Sequence, residues 1–342
     1  MENVRDFLYN HRGILYIVIS GLGYGCLGIL VQLLSSVHIL ESSSVRALFL
    51  VLMPLIDVCV SRVKPTCSIK QFFWIMANGC ACTAVQTTLF IAYGLAPAGD
   101  VIAIVYSSPL LSGILARIFL KEKLAYYDVI LSLLSMIGVF FISKPVFIFG
   151  SSTADSLQQD VHFIGTMWAV GALFLYSIPT VISRKLRLKS ASASVMTLTF
   201  GLLALFTNAT LNTVTGQWSV PKDMVELMFL IAIGVSGFIG IQFYHLSLKT
   251  EKAIFATLGL TLLTILITYI LQFIIFRIYP DIFTGIGIIF ICGATIGAFT
   301  VKWLTSKETN EERIEDKNTK EKDTTNQTDH PLISPDMPVS EV

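Results

Sequence analysis

Long apolar runs separated by short polar breaks make up most of the chain, and their lengths match the thickness of a bilayer. A helix needs roughly 20 apolar residues at 1.5 Å rise to cross about 30 Å of hydrocarbon. Runs of that kind fall near residues 13–34, 39–60, 72–94, 100–120, 126–144, 163–183, 193–214, 225–247, 253–275 and 281–303, which predicts ten transmembrane helices and an all-α fold. The first run follows Arg5 and Arg12 and is too long for the core of a secretion signal, so it is expected to remain as an uncleaved span. Residues 305–342 are rich in Glu, Lys, Thr and Asp without apolar period and are expected to be disordered.

Composition agrees with that pattern. Apolar residues are 54% of the 342 and charged residues only 14%, with a mean hydropathy of +0.72, whereas a soluble domain carries about a quarter charged residues on its surface. The net charge of +1 conceals an acidic tail behind a basic body. Basic residues in the breaks also assign sides, because Lys and Arg resist translocation. With the N-terminus inside, the inner set comprises Arg5, Arg12, Arg62, Lys64, Lys70, Arg117, Lys121, Lys123, Arg184, Lys185, Arg187, Lys189, Lys249 and Lys252. The outer breaks hold only Lys144, Lys222 and Arg277, so both termini are expected to be cytoplasmic. The sequon at Asn208 and Thr210 falls within the outer end of span seven, out of reach of a glycosylating enzyme, and that at Asn326 is cytosolic.

The two halves of the chain echo each other. Tyr93, Leu95 and Asp100 match Tyr244, Leu246 and Glu251 at a constant offset, each followed by an apolar span. Five spans per half is an odd number, so the second half is inverted relative to the first. Inverted repeats are common in secondary carriers, where the binding site lies at mid-membrane between the halves.

The run Ala96-Pro97-Ala98-Gly99-Asp100, then Tyr106-Ser107-Ser108-Pro109, then Phe119-Leu120-Lys121-Glu122-Lys123, resembles the drug/metabolite transporter superfamily, and most of all solute carrier family 35, subgroup G. The resemblance covers residues 13–304 as two EamA-type units, 13–144 and 163–304, joined by an extracytoplasmic loop at 145–162 and flanked by a short N-terminus (1–12) and the tail (305–342). It implies a ten-helix bundle with a cavity lined mainly by spans one to four and six to nine, with spans five and ten at the periphery. The second unit departs from the pattern: Phe276-Arg277-Ile278-Tyr279-Pro280 stands where the first has its acidic motif.

Arg46 is the candidate with most chemical content. It lies about seven residues into span two, roughly 10 Å below the outer face. A charge at the centre of a span costs about 2.5–3.5 kcal/mol on insertion scales, so such residues face a cavity, a partner or the surface. A guanidinium is suited to clamp a carboxylate or phosphate; snorkelling, or pairing with Glu41, is the structural alternative. Tyr106, Ser107, Ser108 and Pro109 mark an interruption of span four, with Gly259 and Thr261 at comparable depth in span nine, and paired interruptions point to a carrier's site. Gln86, Tyr176, Pro179, Gln242 and Tyr244 add polar or helix-breaking positions, each of which could equally join helices without touching a ligand. Pro109, Pro179 and Gly259 are the candidate hinges. His245 is expected to be a wetted end residue near the basic inner loop. The glycines at 21, 23, 25 and 28, at 234, 237 and 240, and at 293 and 297 are expected to serve close helix contacts, and the six cysteines to be buried small hydrophobes without disulfides.

No acid lies deep in a span, and the sequence has no phosphate-binding glycine loop, zinc-protease helix or nucleophile elbow. The expectation is therefore a non-enzymatic secondary carrier without cofactor or metal, moving a small polar metabolite, an organic anion, by alternating access. The contrasting expectation is a membrane adaptor acting through its tail and helix faces. Expected partners are the lipid bilayer and the transported solute, with a homodimer and a PDZ protein at Ser340–Val342 as further candidates and nucleic acid excluded.

Overall fold

A computed structural model of the protein describes residues 12–34, 37, 39–60, 68–95, 104–105, 108–143, 156–216, 218, 221, 223–277, 282–283, 285–294, 296–301 and 304. Its helices are α1 (Arg12–Leu33), α2 (Ile39–Val60), α3 (Ile69–Leu95), α4 (Ser108–Leu120), α5 (Tyr126–Ser143), α6 (Ser156–Leu188), α7 (Ala193–Thr215), α8 (Met224–Thr250) and α9 (Ala253–Phe276). Residues 285–294 are also helical, and no strand occurs among the described residues. Met1–Thr295 form one compact unit, and the helices and contacts below belong to it. Ile296–Val342 form another, described over 296–301 and 304, all helical, with Ala298 buried.

Among the described residues, six helices are long and apolar enough to cross a bilayer, and three shorter apolar helices accompany them. Their sides are the reverse of a soluble bundle. On α7 the buried set includes Ser194, Thr197, Gly201, Ala204, Asn208 and Asn212, while Leu202, Phe206 and Val214 face outward. Lipid tails are as apolar as leucine, so helices in a membrane associate through small and polar residues and leave large apolar ones to the lipid. The chain is an integral, multi-pass membrane protein.

Most spans fall where hydropathy put them. α6 departs most at its ends, running from Ser156 to Leu188 where the apolar run spans about 163–183. Arg184, Lys185 and Arg187 end the apolar run but not the helix, for Arg and Lys are good helix formers and their charges sit well in a last turn. Arg187 Nη1 donates to the carbonyl of Ala191, tying the turn that leads into α7. The five described cysteines depart from the expected burial, and Cys67 lies outside the described residues. Cys59 and Cys80 are exposed and Cys26, Cys82 and Cys292 half-buried, with none in a disulfide; on helices bathed in lipid, an outward thiol needs no burial in protein.

Packing relates the halves. α1 packs on α8 as α6 does on α3, α1 on α9 as α6 on α4, and α2 on α8 as α7 on α3, while α2 meets α7 and α4 meets α9. Exchanging one with six, two with seven, three with eight and four with nine leaves these pairings unchanged. Contacts also give direction. Gly21 and Gly25 of α1 lie against Leu263 and Ile267 of α9, so those two run parallel. α4 runs against α9, with Gly113 on Ile254 and Ala116 on Ala253. It runs with α6, where Ala116 meets Val181 and Glu122 meets Arg184. Hence α1 and α6, the first helices of the two halves, point in opposite directions.

Candidate functional site

α8 carries glycines at 234, 237 and 240, one turn apart on one face, and each makes room for a side chain from another helix. A Cβ on Gly234 would meet the ring of Phe49 at 2.2 Å, one on Gly237 the Arg46 side chain at 2.8 Å, and one on Gly240 the Tyr24 ring at 2.9 Å. Ser20 of α1 donates to the Gly240 carbonyl at 2.6 Å, which fixes the α1–α8 register at this point. The row was expected to serve close helix contact; here it is a slot that seats three side chains.

Arg46 lies in the middle of that slot. Its Cζ is 6.0 Å from the centroid of the Tyr24 ring, at the limit of cation–π attraction. Tyr24 and Gly237 are both about midway along their helices, so the Arg46 side chain lies against the middle of α1 and α8. Its Nε is buried without a hydrogen-bond acceptor. A buried, unanswered donor on a cation is costly, and an incoming anion would relieve that cost.

One turn before Arg46 on α2, Ser43 Oγ accepts hydrogen bonds from Gln86 Nε2 of α3 and from Asn208 Nδ2 of α7, the latter at 3.0 Å. Asn212 Nδ2 donates to Ser44 Oγ at 2.9 Å beside it. Gln86 and Arg46 are thus brought into one neighbourhood, while the Asn208 amide is engaged inside the protein.

Three further polar groups lie elsewhere in the same unit. Gln242 accepts from Thr197 at 2.8 Å and donates to Ser194 at 2.8 Å, and Ser194 donates to Asp57. Because the Thr197 hydroxyl proton goes to Gln242, His245 Nδ1, 3.1 Å from Thr197 Oγ1, is the donor there. His245 is 1% exposed, so it is a core residue and not a wetted end; the charges nearby in sequence lie on the outer turns of the helix. The Tyr244 hydroxyl is 3.0 Å from Thr180 Oγ1 and 3.1 Å from Thr257 Oγ1, linking α8, α6 and α9. Ser183 donates to Asn78 Oδ1 at 2.9 Å, joining α6 to α3.

The proposed interruptions take a different form. Pro109 is the second residue of α4, a position where proline costs a helix no bond; Ile104 and Val105 before it are also helical. Gly259 lies within an unbroken α9, and a Cβ there would meet Ile17 of α1 at 2.9 Å, so it serves helix contact. Pro179 is buried inside a continuous α6. Tyr176 is half-buried against Ala92, Val105, Ala169 and Ala172. Ser108 and Ser112, one turn apart on α4, are buried with hydroxyls lacking hydrogen-bond partners. Tyr106 and Ser107 lie outside the described residues.

Sequence reasoning passed over Tyr24, Ser43, Thr180, Thr197 and Thr257. Tyr24 carried no signal of its own, and hydroxyls within apolar runs are too common to stand out. Their partners lie far along the chain, 165 residues apart for Ser43 and Asn208.

Fold and site together define a polytopic α-helical membrane protein whose halves run in opposite senses around an inward-facing arginine. Residues 11–144 match the EamA-like transporter family. The chain is also similar to solute carrier family 35 member G1 from Homo sapiens, 28% identical over 86% of this chain and 81% of that protein. Its counterpart from Mus musculus is 29% identical over 85% of this chain and 79% of that protein. A crystal structure of a protein 15% identical in sequence superposes with a TM-score of 0.71, covering 85% of this chain and 98% of the other, which shows a common fold.

Proposed function

We propose that the protein is a secondary carrier that moves a small polar metabolite, an organic anion, by alternating access, with Arg46 as the group that receives the anionic end. The observation that carries this reading is the Arg46 guanidinium, seated at mid-depth on the glycine row of α8 with a buried Nε that has no acceptor. Ser43 and Gln86, one turn away, are suited to recognise the polar remainder of the solute, and the serines and tyrosines of α4, α6 and α8 to line its path. The working halves are residues 13–144 and 163–304, with both termini on the cytoplasmic side as the distribution of Lys and Arg favours. The C-terminal Ser340-Glu341-Val342 has the form of a PDZ ligand and would govern location, not flux.

Two measurements test the reading. A thermal-shift screen of the purified protein against pooled organic anions should find ligands that raise the melting temperature by mass action, and an Arg46→Ala protein should lose that shift. Removing residues 305–342 should leave flux through reconstituted vesicles intact. An adaptor that works through its tail would lose its activity on the same deletion, and that result would replace the carrier reading.

A further inference from the structure

One end of the larger unit carries Arg117, Lys121, Lys123, Arg184, Lys189, Lys249 and Lys252, and there Glu122 ties the two halves together. Glu122, in the connection after α4, accepts from Arg184 Nε of α6 at 2.6 Å through Oε1. Its Oε2 accepts from the amide of Ala253, the first residue of α9, at 3.1 Å. Arg184 Nη1 reaches on to the Leu248 carbonyl near the end of α8 at 2.7 Å. The pair is nearly dry, with the two side chains 10% and 14% exposed. α9 also depends on it locally: its N-cap residue Lys252 makes no side-chain cap, so Glu122 supplies from the other half the negative charge that a helix N-terminus favours. Behind the pair, Ala116, Val181 and Ala253 close together in a buried apolar plug.

The turn that carries this acid has a counterpart at the end of α9. α4 ends at Lys121 with φ 55° and α9 at Arg277 with φ 53°, both non-glycine residues in the left-handed region. After Lys121 comes Glu122; after Arg277 comes Ile278. The same turn is built twice, and only one copy is followed directly by an acid.

We propose that Glu122 is the bolt of a gate at the basic end, holding closed the approach to the Arg46 site through its bonds to Arg184 and to the start of α9, and releasing both when that end opens. The inference rests on the carrier reading and adds an asymmetry to it. The closed basic end is held by an ion pair, while the turn at Arg277 is followed in sequence by Ile278 and not by an acid, so the resting protein favours the state with the basic end shut.

The test uses the full chain without its six native cysteines, reconstituted into sealed vesicles, with one reporter at a time and a membrane-impermeant maleimide. Thr257→Cys reports from behind the bolt and is probed from the basic side; Ser44→Cys, near the start of α2, is probed from the opposite side. Glu122→Gln keeps the shape of the side chain and removes its charge. It should speed labelling of the first reporter about tenfold, the scale of losing one charge-assisted hydrogen bond, and slow labelling of the second. Arg184→Gln should do the same, and the double variant should go little further, because both remove one bond. A rise at both reporters, or no change at either, would mean that Glu122 merely staples the fold and would overturn the proposal. Opposite changes without any solute flux would uphold the gate and remove the carrier reading; flux with unchanged labelling would do the reverse.

Discussion

Uptake of the anion found by the thermal screen is expected to fall about 100-fold or more in Arg46→Ala, with insertion and helicity unchanged. A guanidinium bound through two charge-assisted hydrogen bonds contributes about 1.5–3 kcal/mol per bond, and the variant loses both. Stability should not fall with it. The variant removes a half-buried cation whose Nε is buried without an acceptor, and such a group costs free energy in the empty protein. Arg46→Lys separates charge from geometry, since an ammonium cannot present the guanidinium fork, and uptake should recover only in part. Vesicle uptake with radiolabelled anion, normalised to protein inserted, measures each. Wild-type uptake in the alanine variant would remove Arg46 from the mechanism.

The largest effect on stability is expected at Gly201. A Cβ there would lie 2.6 Å from the carbonyl carbon and oxygen of Leu50, in the backbone of α2, and backbone cannot swing aside as a side chain can. The α2–α7 seam is held on either side of this point by Ser43–Asn208 and Asp57–Ser194, so separating the helices at Gly201 strains both. Overpacking of this kind costs about 1–3 kcal/mol even where side chains can yield, and Gly201→Val should meet or exceed that range, read as a lower melting temperature in detergent. Gly171→Ala is the matched control, with nothing within 4 Å of its added methyl. That change should be neutral or slightly stabilising, because alanine favours helix over glycine.

The contrast between these two glycines shows what the sequence alone conveys. The all-helical membrane class and most boundaries were legible, since the match of an apolar run to hydrocarbon thickness is a local property; α2 and α7 begin where hydropathy puts them. α6 ran past its apolar limit because helix formation and lipid exposure are separate requirements, and Arg184 to Leu188 meet only the first. Charge gives an expectation for the side each polar end faces, but which groups meet does not follow from it. Arg46 stood out because one charge in an apolar run is costly wherever it points. Its seat on Gly237 did not stand out, nor did the burial of His245, because both depend on how α8 turns against α1, α2 and α7. Glu122 was legible as part of a motif, and only its bond to the start of α9 gives it a mechanical meaning.

Saturable exchange is the most direct measurement of the central claim. Vesicles containing the purified chain and loaded with the unlabelled anion should take up labelled anion from outside against no net gradient, faster than empty vesicles do, and Arg46→Ala should abolish the difference. If loading makes no difference for any anion that raises the melting temperature, the protein binds without exchanging, and it is not a carrier.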